Sequence, residues 1–296
     1  MRAEGNPNYL AIGRKETLRI VTMNPPRDWT AIAWPEVAAT EAARWIAVLP
    51  LAATEQHGPH LPFETDVMIG EAYLAQVEEL LPPDLPVSFL PIQRIGISTE
   101  HTDFPGTQTL STEAALKQWM AIGEEVARRG LRKLVMVTSH GGNSAAMMLV
   151  AQDLRAHHSM LAVTTSWSRF GAPEGLFSIE ELRHGIHGGA VETSIMLARY
   201  PHAVKKDAIA DFPSSAAAMD KEFRWLSTRR PAPFAWQAQD LNSCGAVGDA
   251  RQASAEKGEQ LVDHGARAFC ELLRDVDNFD VMRLATGPGK NSKPLY

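Results

Sequence analysis

Short apolar runs alternate with helical periodicities along most of the chain. Residues 45–52 (W-I-A-V-L-P-L-A) and 133–139 (K-L-V-M-V-T-S) are the near-continuous apolar runs expected of strands buried on both faces. Residues 87–92 and 161–166 read as two further strands. Between the first two strands Val67, Gly70, Leu74, Val77 and Leu81 recur at i, i+3, i+7, i+10 and i+14. That spacing predicts one face of a helix, capped by Thr65 or Asp66 and stopped by Pro82 and Pro83. More helices are predicted over about 111–129 and from Asn143 to about 157, then over 189–200 and 254–276. The last carries Val262, Gly265, Phe269, Leu272 and Val276 on one face. Strand and helix in alternation are the mark of βα units, so the pattern predicts an α/β fold with a mostly parallel sheet. Residues 211–244 break the alternation with Pro213, Pro231, Pro233, Trp225 and Trp236, and read as a surface excursion with a helix near 217–226. The expected organisation is an extension over 1–27, one domain over 28–285 and a tail over 286–296.

The polar residues of interest fall where strands end. Immediately after the first strand the chain reads T-E-Q-H-G-P-H-L-P-F-E-T-D, so Glu55, His57 and Asp66 sit in or beside one Gly- and Pro-punctuated loop. Ligands of open parallel sheets collect beyond the carboxyl ends of the strands. Glu55 and His57, two residues apart in extended chain, point the same way. His140 follows the strand over 133–139, Trp167 follows that over 161–166, and Glu192 falls near the start of the helix over 189–200. Carboxylate oxygens mixed with imidazole nitrogens suit zinc, manganese or ferrous iron. Each feature alone has a plainer reading. Glu55-x-His57 fits a solvated loop, His140-Gly-Gly-Asn143 a strand-to-helix turn, and Glu192 a favourable charge at a helix start. Trp167 fits a core position as well as a wall beside a substrate. Their convergence on one sheet edge is what favours a metal site.

Composition removes other classes. The chain has 296 residues, 45% of them hydrophobic, and a net charge of -6 without any basic block, which argues against a nucleic-acid surface. A small molecule is the expected partner. Cys244 and Cys270 are the only cysteines, which excludes a disulfide scaffold and fits a reducing cytoplasm. No stretch approaches the roughly 18 apolar residues of a membrane span, and the first 27 residues hold no continuous apolar core of an export signal.

The segments L-P-L-A-A-T-E-Q-H-G-P-H-L-P-F-E-T-D, G-I-S-T-E-H-T-D-F-P-G-T, V-T-S-H-G-G-N, H-G-G-A-V-E-T-S and G-A-V-G-D-A-R-Q-A-S-A-E-K-G follow in the order of the signatures of the creatininase (creatinine amidohydrolase) family, which the chain resembles over about 28–276. The resemblance implies a three-layer α/β/α fold, a centre of two divalent metal ions, hydrolysis of a non-peptide cyclic or formyl amide by a metal-held hydroxide, and a homo-oligomer, commonly a hexamer. Carried over by position, Glu55, His57, Asp66, His140 and Glu192 match metal ligands, with Asp66 as the bridge. His187 matches the general acid and base. Asn143 and Trp167 are weaker candidates for substrate contacts. Where creatininase itself has a glutamate two residues after the strand-end histidine this chain has Gly142, which makes Glu192 the expected second-metal ligand and creatinine an unexpected substrate. Alternatives within the resemblance are a formamidopyrimidine nucleotide deformylase, for which Arg94 and Arg169 are the candidate phosphate cations, and a precursor-peptide peptidase. From another class, an inactive metal-binding relative is disfavoured by the intact ligand set. His60, His101 and Asp103 stay outside that ligand set, either lining the site or serving as hydrogen-bonded structural residues.

Overall fold

The computed structural model describes residues 24–33, 42–229 and 231–284; most of the expected extension over 1–27 and the whole tail over 286–296 lie outside the described residues. Four strands, β1 (Ile46–Leu51), β2 (Val87–Phe89), β3 (Lys133–Thr138) and β4 (Leu161–Ser166), form a parallel sheet in the order β2-β1-β3-β4. The helices in chain order are α1 (Thr65–Leu80), α2 (Thr112–Arg128), α3 (Ser144–His158), α4 (Ile179–His184), α5 (Ala190–Arg199), α6 (Ala216–Glu222), the single turn α7 (Ala238–Leu241) and α8 (Ala255–Asn278).

Every residue of β1 and β3 is buried, because both faces of the sheet are covered. Alternation then sorts the side chains. Ile46 and Val48 of β1, with Val135 and Val137 of β3, join a core with Ile69, Tyr73 and Val77 of α1, Ile195 of α5 and Phe269 of α8. Ala47, Leu49 and Leu51, with Leu134 and Met136, face the other way onto Trp119 of α2 and Met147, Val150 and Leu154 of α3. These are the three layers of an α/β/α fold.

Several predicted boundaries shift. Neither Thr65 nor Asp66 caps α1: Thr65 is already helical and its hydroxyl donates to the Pro62 carbonyl, while Asp66 turns inward. The fully buried leucine of α8 is Leu273, with Leu272 only partly buried; both positions satisfy the period after Phe269, and the wider apolar stripe takes the i+4 residue. In the excursion the helix is α6, and Leu226–Ser227 instead pairs with Ala232–Pro233. Helix α4 was not visible in the pattern, being six residues long with Ile179 and Leu182 exposed.

Register is what builds the site. Leu51 lies opposite Thr138, and Thr138 opposite Ser166, so β1, β3 and β4 end level and release their loops onto one rim. Among the described residues no helix is long and apolar enough to cross a membrane.

Candidate metal centre

The chain leaves β1 and folds back tightly. The Glu55 amide donates to the Phe63 carbonyl at 3.0 Å, Thr54 bridges to Gln108, and His57 bridges to Leu61. The fold-back turns Glu55 and His57 into the protein, where they are 0% and 1% exposed, and Asp66 in the first turn of α1 is 1% exposed. His140 arrives from the end of β3, and His187 and Glu192 from the turn and first residues of α5. The structure therefore gathers Glu55, His57, Asp66, His140, His187 and Glu192 into one buried cluster.

Within it, Glu55 Oε1 lies 3.1 Å from His140 Nδ1, which in turn is 3.4 Å from Asp66 Oδ2. His57 Nε2 is 3.7 Å from Asp66 Oδ1 and 3.8 Å from Glu192 Oε2. His187 Nδ1 is 3.7 Å from Glu55 Oε1. The far nitrogens of the rings are committed elsewhere: His57 Nδ1 to the Glu55 carbonyl at 3.0 Å, His140 Nε2 to the Ile97 carbonyl at 2.8 Å, and His187 Nε2 to the Gln56 carbonyl at 2.6 Å. Histidines that hold metals are oriented in this way, one nitrogen anchored to a carbonyl and the other turned inward.

The inward atoms are short of partners. Both oxygens of Glu55, Oδ2 of Asp66 and Nε2 of His57 are buried without a hydrogen bond. Such groups are rare in folded proteins because each carries an uncompensated desolvation cost. Charges balance through protons instead. Burial alone would neutralise His57, but the carboxylates of Asp66, Glu192 and Glu55 outweigh it and raise its pKa to about 9. His140 is likewise raised well above its ordinary value, burial being outweighed by Glu55 and Asp66. Burial pushes up on the Asp66 carboxyl too, yet the facing His57 and His140 hold it below the usual carboxylate range. Burial, opposed by His57 and reinforced by Asp66, lifts Glu192 to about 7. His187 moves the other way, its ring held neutral first by burial and then by the charge of the facing His57. Two buried carboxylates, Glu55 and Asp66, and the half-buried Glu192, set around two proton-holding imidazoles, are the donor chemistry of a cation site. Glu55, His57 and Asp66 offer donor atoms within 4.8 Å of one another, as do His57, His187 and Glu192. Tetrahedral zinc bonds of about 2.0–2.1 Å set ligand atoms roughly 3.3–3.4 Å apart, close to the separations present. The donor set fits a divalent metal.

Other predicted residues are placed differently. Trp167 does not face the cluster: it is 4% exposed, stacked on Tyr73 at 4.5 Å and edge-on to Phe269, where an apolar ring gains most from the core between α1 and α8. Asn143 has no free donor. Its Nδ2 donates to the Ala52 carbonyl and the Thr138 hydroxyl and its Oδ1 accepts from the Ile97 amide, so it ties the rim loops together. Arg94 is committed to Glu64 and Glu71, and Arg169 is exposed. His60 bonds Thr193 and stacks on Phe212, and Asp103 takes a hydrogen bond from Gln239 near the surface. Gly142 leaves no room for a side chain: an added Cβ would lie 2.4 Å from both His140 Nε2 and the Ile97 carbonyl, and 2.7 Å from Glu100.

Two residues outside the expected ligand set border the cluster. His101, 3% exposed, places Nε2 3.4 Å from Glu55 Oε1 and stacks on His187 with centroids 4.3 Å apart. Gln56 touches both His101 and His187. The signals were there, Gln56 standing between Glu55 and His57 and His101 within G-I-S-T-E-H-T-D-F-P-G-T, but strand-end reasoning selects residues directly in line with strands, and His101 closes a short turn (Thr99–His101) well into the loop after β2.

Comparison with known proteins agrees with this architecture. The family model described as Creatininase: Creatinine amidohydrolase matches residues 30–273. The chain is 30% identical over 260 residues to the creatinine amidohydrolase of Pseudomonas putida, covering 82% of this chain and 95% of that protein. It is also 30% identical over 227 residues to the mycofactocin precursor peptide peptidase of Mycobacterium tuberculosis, covering 72% of this chain and 78% of the peptidase. A solved manganese form of creatininase superposes with a TM-score of 0.70 at 24% identity, over 86% of this chain and 100% of that one, a likeness of fold. The chain belongs to the creatininase family of hydrolases.

Proposed function

We propose that this chain is a metal-dependent amidohydrolase that holds two divalent ions, zinc, manganese or iron, and hydrolyses a cyclic or formyl amide C–N bond in a small molecule. One observation carries the reading: the oxygens of Glu55, Oδ2 of Asp66 and Nε2 of His57 are buried together without a satisfied hydrogen bond. Asp66 supports a pair of ions because its two oxygens face apart, Oδ2 toward His140 and Glu55, Oδ1 toward His57 and, beyond it, Glu192. In this assignment Asp66 serves both ions, Glu55 and His140 the first, His57 and Glu192 the second. Divalent ions held there polarise an amide carbonyl and make water more acidic near neutral pH.

The chain supplies the proton transfers. His187 donates from Nε2 to the Gln56 carbonyl, which leaves Nδ1 bare toward the carboxylates, and its lowered pKa keeps the ring neutral at rest. A neutral imidazole in that position accepts the proton of the attacking water at Nδ1 and returns it to the leaving nitrogen as the C–N bond breaks, ending as it began. Glu192 stands at the start of α5, where its Oε2 accepts from the Gly188 amide at 2.6 Å, and this bond fixes the carboxylate beside His57.

The substrate is the finer question. Gly142 cannot supply the carboxylate that creatininase carries there, which disfavours creatinine. Cleavage of a short precursor peptide is the second reading, favoured by the equal identity to the peptidase relative. A committed Arg94 weighs against a nucleotide phosphate. A cytoplasmic homo-oligomer fits the cysteine content and the resemblance. Assay of metal-loaded protein on creatinine, lactams and hydantoins, formylaminopyrimidine nucleotides and short peptides tests the proposal. It predicts chelator-sensitive hydrolysis of at least one non-peptide amide with creatinine turned over poorly. Inertness across the whole panel contradicts it, and activity confined to peptides replaces it with the second reading.

A further inference from the structure

We infer that Gln56 is a positioning residue that sets the roles of two imidazoles, making His101 an N–H donor toward Glu55 and leaving His187 with a bare Nδ1 at the metal centre. The inference deepens the metal reading and rests on it for the significance of Glu55, but the hydrogen-bond geometry stands alone. The carboxamide of Gln56 has only one consistent orientation. Its Oε1 accepts from the Gly58 amide at 2.8 Å, and its Nε2 donates to the Gly245 carbonyl at 3.0 Å. One N–H remains, with His101 Nδ1 at 2.8 Å and His187 Nε2 at 3.2 Å within reach. His187 Nε2 is not an acceptor, because it stands 2.6 Å from the Gln56 backbone carbonyl and must carry a hydrogen there. The remaining N–H therefore goes to His101 Nδ1, and neutral His101 holds its own proton on Nε2, facing Glu55 Oε1 at 3.4 Å. One residue thus fixes His187 through its backbone and His101 through its side chain.

The consequence is a choice between ligands. Donor atoms of Glu55, His101 and His187 lie within 4.8 Å of one another, so distance alone admits an ion among them. The proton on His101 Nε2 excludes it and directs a cation to the other side of Glu55, where His140 and Asp66 stand. Gln56 itself is built in. Gly245 has φ +80°, and a Cβ there would lie 2.3 Å from Gln56 Oε1, so the glycine is needed for backbone and space alike. Two residues on, Val247 exchanges backbone hydrogen bonds with His187. The G-A-V-G segment, which contributes no ligand, is the floor under both Gln56 and His187.

The test is the tautomer of each ring, read by long-range proton–nitrogen correlation on metal-free protein containing 15N-histidine, before any metal is added, so that this inference and the metal reading fail separately. His101 is assigned by the resonance lost in His101→Asn. The wild type should show His101 and His187 both protonated at Nε2 and bare at Nδ1, and His101 should keep its Nε2 proton when Zn2+ is titrated in. Gln56→Met should shift the His101 Nδ1 resonance to that of an imidazole nitrogen with no donor, while His187 keeps its tautomer. A proton on His101 Nδ1 in the wild type, loss of its Nε2 proton to zinc, or an unmoved Nδ1 in Gln56→Met overturns the inference. Should Gln56→Met fail to fold, the wild-type spectra decide alone.

Discussion

His187 is defined by what its two nitrogens do. Nε2 is held on a backbone carbonyl and Nδ1 is presented to Glu55, so the ring is anchored and still has one site for a proton. On the proposed mechanism its removal should leave the metals in place and lower kcat about 100- to 10,000-fold, the usual contribution of a general acid and base. Steady-state kinetics and metal content of His187→Ala check both parts; loss of metal together with activity would make His187 a ligand instead. Glu192 makes the complementary case. Because position 142 cannot carry a carboxylate, Glu192→Gln should lose one of the two ions, read by elemental analysis. Glu192 was legible as a candidate from its place at a helix start, and His187 only through the family motif that carries it. Gln56 was not legible as functional and His101 only as a residue that could line the site, because what matters is a donor–acceptor arrangement among the 56, 101, 187 and 245 segments that no single segment encodes.

At the scale of elements, the hydrophobic pattern located β1, β3, β4 and the long helices because burial on two faces leaves no polar alternation to blur them. It missed α4, which is short and exposes its apolar residues, and it could not place Trp167. A tryptophan directly after a strand reads equally as site wall or core filler. Helices α1 and α8 close over it with Tyr73 and Phe269, which supports the core reading. Trp167→Phe should therefore lower stability by about 1–2 kcal/mol, through lost area and a weakened stack, and leave KM unchanged. Urea unfolding and kinetics separate the outcomes: a raised KM at unaltered stability would return Trp167 to the substrate site. The same logic explains Asn143, whose position suggested a free donor and whose amide is fully used in joining β1, β3 and the loop at Ile97.

For the molecule as a whole, the cluster balances its carboxylates with protons on His57 and His140, and a cation would have to take the place of those protons. Without metal, His57 holds a proton up to about pH 9 and Glu192 up to about pH 7. Binding a divalent ion must displace those protons. Affinity should therefore weaken as pH falls below 9, by about tenfold per unit for each proton released, and more steeply below 7 where Glu192 also titrates. Calorimetric titration in buffers of different ionisation enthalpy reads the proton release; an affinity flat between pH 6 and 9 would contradict the assigned ligands. The most direct measurement is the divalent metal content of purified chain after growth with zinc and manganese, for the wild type beside Asp66→Ala. The account predicts close to two ions per chain in the wild type, and loss of both in the variant, because Asp66 faces each half of the site. A wild-type content near zero, or an Asp66→Ala protein that keeps both ions, would contradict it.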